Sequence, residues 1–435
     1  MNLAPARKSF KTSAPGAWWA LRQNRDTTYT AVGHGLDSLA TMTSPVTSTV
    51  DAHEVPKNRL LGVDAVRAIA IIGVFVMHFP MTGWLHAGPP AESPGFLHWL
   101  STETSSRAMT LFVLLAGVSI ALMTGGSKPY TGRRMTTALL RVAVRAVALF
   151  LISLCIDEFG PSVIAYYAVL LLFLIPFTRL RPRTLFALSA ATVPLVTLYP
   201  IWVFTTHTDW MRAETPNGLA VLTHPGQWGD YLFSLVFTGG GFQTVYGVPL
   251  VLAGLAIGRL DLRSQAVRLR MLIVGACVAV GACVVAWLAL YPLGFSAAID
   301  KAEPPTMPWQ ALFAMPGERS LYATSAVGIT FMVGVALLLL GGLLMLTDRR
   351  NWQRVLWPLA AAGGMAMTWY AGHIVYLKAV GNPHAYSAVY FLAVVAVTLV
   401  VSVLWRRWLQ RGPLEWLVHK VIVTVVPGPR RTAAV

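Results

Sequence analysis

Between Leu61 and Leu409 the chain carries ten apolar runs of about spanning length, each set off from the next by a polar stretch. That pattern leaves little choice of fold. In hydrocarbon every backbone N–H and C=O must be paired, and a single segment can do this only as a helix. The runs fall at about 61–82, 107–124, 135–156, 161–178, 184–204, 242–260, 270–293, 321–347, 355–380 and 385–409. Hydrophobic residues make up 55% of the chain and charged ones only 12%, with a mean hydropathy of +0.60, which excludes an ordinary soluble domain. The expected fold is an all-α polytopic membrane protein of about ten transmembrane helices.

The connecting segments set its orientation. One set holds Lys57 and Arg59, then Lys128, Arg133 and Arg134, then Arg179, Arg181 and Arg183, then Arg259, Arg263, Arg268 and Arg270, then Arg349, Arg350 and Arg354, and last Arg406, Arg407, Arg411 and Lys420. The alternate loops hold most of the acids, among them Glu103, Asp157, Glu158, Asp230 and Asp300, and few cations, Arg107 among them. By the positive-inside rule both termini are expected in the cytoplasm of a plasma (inner) membrane, multi-pass, with lipids as neighbours. The formal charge of +16 therefore follows topology and gives no reason to expect nucleic acid.

Three parts are expected: residues 1–57 as a disordered cytoplasmic tail rich in Ser, Thr, Ala and Gly, 58–411 as the membrane domain, and 412–435 as a C-terminal interfacial helix and tail. Met42 is a second plausible start, which leaves open whether residues 1–41 belong to the native protein. Cys155, Cys277 and Cys283 sit inside apolar runs and read as small buried core residues. They form no CxxC or zinc spacing, so no metal is expected. Gly254 and Gly258 form a GxxxG that predicts close helix packing. Trp228 to Phe242, interrupted by Gly239, Gly240 and Gly241, reads as a re-entrant or interfacial segment.

Arg59 to Pro80 (RLLGVDAVRAIAIIGVFVMHFP) places Asp64, Arg67 and His78 in or beside the first apolar run. Ionisable groups there are costly and mark function by default. Asp64 and Arg67 are i and i+3, so an intrahelical pair is as good a reading as catalysis by Asp64. From Arg67 to His78 a helix climbs about 16 Å, roughly half the hydrocarbon thickness. His373, in MTWYAGHIVY, lies about 27 Å along a helix begun at Val355 and is expected at a similar depth. Tyr370 is on the same face, three residues before it. The alternative for His373 is an anchoring role at an aromatic helix end.

RLLGVDAVRAIAIIGVFVMHF resembles the opening helix of the YeiB-like proteins and of bacterial relatives of heparan-α-glucosaminide N-acetyltransferase. WPLAAAGGMAMTWYAGHIVYL and RGPLEWLVHKV are similar to the signature helix and terminal segment of the YeiB-like group, so the likeness covers most of residues 59–425. Where those patterns read Arg, ten residues, Asn, this chain has Arg67, ten residues, His78, a spacing that resembles the third family of membrane O-acyltransferases. Ala68 stands where Gly is expected. The resemblance implies a transmembrane acyltransferase that moves an acyl group, acetyl first among them, from cytoplasmic acyl-CoA to a glycan, glycolipid or other acceptor reached from the outer side.

Acyl-CoA is a polyanion and needs cations at the inner face. Arg134, Arg141 and Arg145, spaced seven and four apart, share one helix face, with Arg133 beside them and Arg67 on the first run. Topology or lipid headgroups account equally for Arg133 and Arg134. His78 is the first choice for base or acyl carrier and His373, with Tyr370, for its partner. His86 and His98 fall where the heparan-type enzymes place their key histidine, and solvated loop positions suit them too. With Arg107 they are the acceptor-side candidates. The rival classes are a transporter or lipid-handling protein without covalent chemistry, and a membrane scaffold. A homodimer is compatible with any of these.

Overall fold

The computed structural model describes residues 60–78, 107–160, 162–207, 215–238, 244–302, 308–313, 325–380 and 388–427. Lys57, Arg59, His86, His98, Glu103, Gly239, Gly240 and Gly241, and the whole segment before Leu60, lie outside them, as does the side chain of His78. Among the described residues the regular structure is helical throughout. The principal helices are α1 (Leu61–His78), α2 (Arg107–Met123), α3 (Gly132–Asp157), α4 (Ile164–Phe173), α5 (Pro182–Thr206), α6 (Thr244–Gly258), α7 (Gln265–Leu290), α8 (Ala326–Leu346), α9 (Arg350–Gly363), α10 (Ala366–Val380), α11 (Ala388–Trp408) and α12 (Pro413–Val425). Five of them, α3, α5, α7, α8 and α11, contain a stretch long and apolar enough to cross a membrane, and α2, α4 and α6 are shorter apolar helices. Trp228–Phe233 is a short helix running into a π-helical turn at Ser234–Thr238.

Glycines set the closest helix contacts. A Cβ on Gly254 would run into the Leu114 backbone, and one on Gly258 would stand 2.9 Å from the Val118 carbonyl oxygen, so the GxxxG of α6 is pressed against α2. A second seam joins α7 to α8, where a Cβ on Gly334 would lie 2.6 Å from Ala279 N and one on Gly341 2.7 Å from the Arg268 carbonyl oxygen.

The turns rich in Arg and Lys meet at one end of the bundle, called here the basic end. Arg259 is buried and donates to the carbonyls of Ala121 (3.1 Å), Thr124 (3.4 Å), Gly126 (2.9 Å) and Thr178, and to the Thr124 hydroxyl (2.7 Å). It thereby ties the end of α6 to the turns that follow α2 and α4. Arg268, also buried, donates to the carbonyls of Leu262 (2.6 Å) and Leu344 (3.1 Å) and pairs with Asp348. Both arginines count toward the topological charge in the sequence. In the fold they are staples between turns.

Two expectations are corrected. The stretch 355–380 is not one helix: α9 ends at Gly363, and α10 begins three residues later at Ala366. α9 is amphipathic, with Trp352 and Val355 exposed and Ala360–Gly363 buried, and Gly363 lies against the Asp64–Ala68 backbone near the start of α1. The three cysteines are exposed, not core residues. Apolarity distinguishes core from surface only when the surroundings are water. On α7, Cys277 and Cys283 share the outward surface with exposed Val274, Val280 and Val284.

Candidate functional site

A cavity of about 1020 Å³ opens at the basic end between α3 and α12. α3 supplies Arg133, Arg134, Thr137, Ala138, Arg141 and Arg145, so the face predicted from the seven- and four-residue spacing is a cavity wall. Arg134 stacks on the Tyr130 ring at 3.9 Å, and Arg141 donates to the Val426 carbonyl from Nε and Nη2 at 3.4 Å each. The opposite wall is α12 and the turn before it: Gln410, Arg411, Glu415, Val418, His419 and Ile422. α12 is therefore more than an interfacial anchor, although Lys420 does lie over the Trp416 ring at 4.7 Å.

The charges in this cavity do not balance. Five guanidinium groups, from Arg133, Arg134, Arg141, Arg145 and Arg411, line it with a single carboxylate, Glu415. That carboxylate is engaged elsewhere. Its Oε1 accepts from the backbone N–H of Met367 (2.8 Å) and Thr368 (3.1 Å), and its Oε2 from the Thr368 hydroxyl (2.5 Å), so it caps the start of α10. His419 carries the electrostatic mark of the surplus. Partial burial, then Arg411 and Arg141, hold its pKa below the usual histidine value.

Met123, Arg145, Gly364, Met367 and Glu415 line this cavity and also a second chamber of about 290 Å³ deeper in the bundle. The two spaces therefore adjoin along a shared boundary. Gly364, at the break between α9 and α10, is part of it. The inner chamber is walled by Phe112, Leu115, Leu149, Ile164 and Tyr167, with Arg67, Ser119 and Tyr370 among its polar groups beside Arg145 and Glu415. Arg67 donates to Asp64 Oδ1 at 2.6 Å, the expected i,i+3 pair, and to Ser119 Oγ at 2.8 Å. Ser119 donates its own O–H to the Leu115 carbonyl at 2.7 Å. Arg67 also faces a third cavity, of about 830 Å³, with Asp64, Lys128, Asp261 and Arg263.

Tyr370 closes the far side. Its ring stacks on Phe112 with centroids 6.2 Å apart, and its hydroxyl accepts from the Val163 backbone N–H at 3.0 Å, at the turn between α3 and α4. His373 is not among the chamber's lining residues. It is buried one ring behind, edge-on to Tyr370 at 5.2 Å and against Phe75 at 5.5 Å. The path from Val355 does not measure its depth, because α10 starts afresh at Ala366, about 10 Å below it. Arg107 stands apart from the chamber, with its guanidinium over the Phe331 ring at 5.0 Å. No group of three or more His, Cys, Asp or Glu among the described residues could hold a metal.

The fold thus brings together Arg67, Arg134, Arg141, Arg145 and Tyr370, and places His373 next to them behind an aromatic layer. Sequence reasoning missed Tyr130, Arg411, Glu415 and His419. Glu415 had one local signal, its place in the first turn after Gly412-Pro413, which marks a helix start. Its partner helix lies 47 or more residues earlier, beyond any local pattern.

A family model described as a protein of unknown function (DUF418) matches residues 261–424. The matched region runs from the turn before α7 into α12 and includes Tyr370, His373 and Glu415. It stops short of α1 and α3, which bear Arg67 and the basic wall. No curated protein matches the chain.

Proposed function

We propose that the protein is a plasma-membrane acyltransferase that draws acyl-CoA from the cytoplasm into the basic cavity and passes the acyl group to an acceptor reached from the other side. In this reading the ten-span topology holds, the basic end is cytoplasmic and both termini are inside. One observation carries the proposal: an arginine-lined cavity adjoins a small inner chamber lined by tyrosine, with histidine behind it. A polyphosphate head on a slender arm has the matching shape and charge.

The chain's own groups divide the work. Arg134, Arg141 and Arg145, helped by Arg411, hold phosphate. Arg67, with two donor directions used by Asp64 and Ser119, keeps further N–H groups for the carbonyl oxygens of the donor's arm. The acceptor's hydroxyl or amine attacks the thioester carbon. The C–S bond breaks as the new C–O or C–N bond forms, the acceptor's proton goes to an imidazole, and coenzyme A leaves as thiolate and is then protonated. His78, whose backbone closes α1, is the first choice for that base and His373 the second, with Tyr370 holding the ring between His373 and the chamber. His86, His98 and Arg107 remain the acceptor-side candidates.

The test is purified protein in detergent with radiolabelled acetyl-CoA and a panel of glycan and glycolipid acceptors. Label should move to an acceptor or to water, and His78→Ala should abolish the movement while leaving acetyl-CoA binding intact. Absence of turnover across the panel, together with passage of a substrate across proteoliposomes, would replace the enzyme by a transporter.

A further inference from the structure

The inner chamber is small, and its far wall is aromatic. At about 290 Å³ the chamber lies at the bottom of the roughly 300–1,000 Å³ range of pockets that take drug-sized ligands. That is room for the end of a pantetheine arm with a short acyl group and too little for a fatty chain. The wall is rigid: Phe112 lies between Tyr167, centroids 5.5 Å apart, and Tyr370, 6.2 Å apart, and the Tyr370 hydroxyl is tied to the backbone of Val163. Interiors of this kind do not open for one extra methylene without cost.

We infer that the chamber is the acyl-group site and that Phe112, backed by Tyr167 and Tyr370, limits the donor to short-chain acyl groups. This rests on the acyl-CoA reading of the larger cavity. Phe112 is the specificity-determining position because it lines the chamber and its ring lies against both tyrosines. Replacing it by a smaller residue extends the chamber along α2 while the phosphate-holding arginines, on α3 and before α12, keep their places. Longer acyl groups then gain apolar burial that the native wall denies them.

The experiment measures competition by acetyl-, butyryl- and octanoyl-CoA for a radiolabelled acetyl-CoA complex of the purified full-length protein, wild type against Phe112→Ala and Phe112→Leu. Wild type should prefer acetyl- over octanoyl-CoA by at least tenfold, and both variants should narrow or reverse that ratio, Ala more than Leu. Melting in detergent, read in parallel, identifies a variant that has lost its fold, and the wild-type ratio is decisive even then. Equal wild-type affinity for all chain lengths would overturn the inference and leave the acyl-CoA reading standing. Failure of every acyl-CoA to bind would overturn both.

Discussion

Two kinds of seam in this protein solve opposite problems. Between α7 and α8, and between α2 and α6, glycines bring backbone against backbone and no space remains for a ligand. Between α3 and α12, long cationic side chains line a space of about 1020 Å³. Lipid tails are as apolar as leucine, so helices in a bilayer gain little by merely hiding apolar surface from one another. Close fit and polar pairing have to hold them. The dry seams supply the fit, and that leaves the α3–α12 wall free to be polar, open and poorly packed. Stability and binding are thus assigned to different helices, and substitutions should separate them.

The largest effect is expected at the dry seams. Gly254→Leu and Gly334→Leu place a side chain where a Cβ already meets backbone, which no rotamer can relieve. Each should cost about 3 kcal/mol or more and show as loss of monodisperse protein or a sharply lower melting temperature in detergent. Near-native melting of either variant would mean the seam is looser than the backbone approach implies.

Next comes the staple at the basic end. Arg259→Met keeps much of the side-chain volume and removes a donor from the carbonyls of Ala121, Gly126 and Thr178. Loss of a buried charged hydrogen-bond hub costs about 3 kcal/mol. The variant should melt early, with proteolysis starting at the turns after α2 and α4. Arg133→Met is the contrast: it is exposed on the cavity wall and should be thermally silent.

These cases show what could be read from the chain. The GxxxG of α6, the Asp64–Arg67 pair and the basic face of α3 are local periodicities, and the fold places them as their spacing requires. Two kinds of feature escaped. Arg259 and Arg133 look alike in sequence, since each is a cation at a helix end, and only the convergence of three turns makes one of them a buried hub. Cys277 and Cys283 were misplaced because α7 beyond its first turn and a half is apolar on every side, so its pattern does not say which face meets α8 and which meets lipid. The break after Gly363 had a signal in the Gly363-Gly364 pair, outweighed by the apolar run around it.

On the open wall the order of effects reverses. Arg141→Ala and Arg145→Ala should each weaken acetyl-CoA binding about 10- to 100-fold, the range for losing one charge-assisted hydrogen bond, while melting without ligand shifts little. Calorimetry with acetyl-CoA and a thermal scan on the same samples give both numbers. If the arginines prove to matter for melting and not for binding, the cavity is a structural feature of the basic end, and the division between the two seams fails.

The smallest expected effect comes from His419, and it tests the charge surplus directly. Burial, Arg411 and Arg141 lower its pKa, so in the unliganded fold it stays neutral to a lower pH than the unfolded chain's value of about 6.5. Without ligand it therefore favours the fold above that pH and withdraws the advantage as acid is added. A polyanion offsets the field of Arg141, Arg411 and the neighbouring Arg133, Arg134 and Arg145, while Glu415 stays bound to the start of α10. Binding should then raise the histidine's pKa and take up a proton, so affinity gains as pH falls from 7.5 to about 5.5. The phosphates titrate near pH 6 and oppose this trend, so the informative quantity is the difference between wild type and His419→Gln, in which the ligand's own titration cancels. That difference should reach about threefold at the acid end and shrink in high salt, as expected for a partly exposed group. Parallel pH profiles for the two proteins would place the bound charge outside the reach of His419, and with it outside the cavity between α3 and α12.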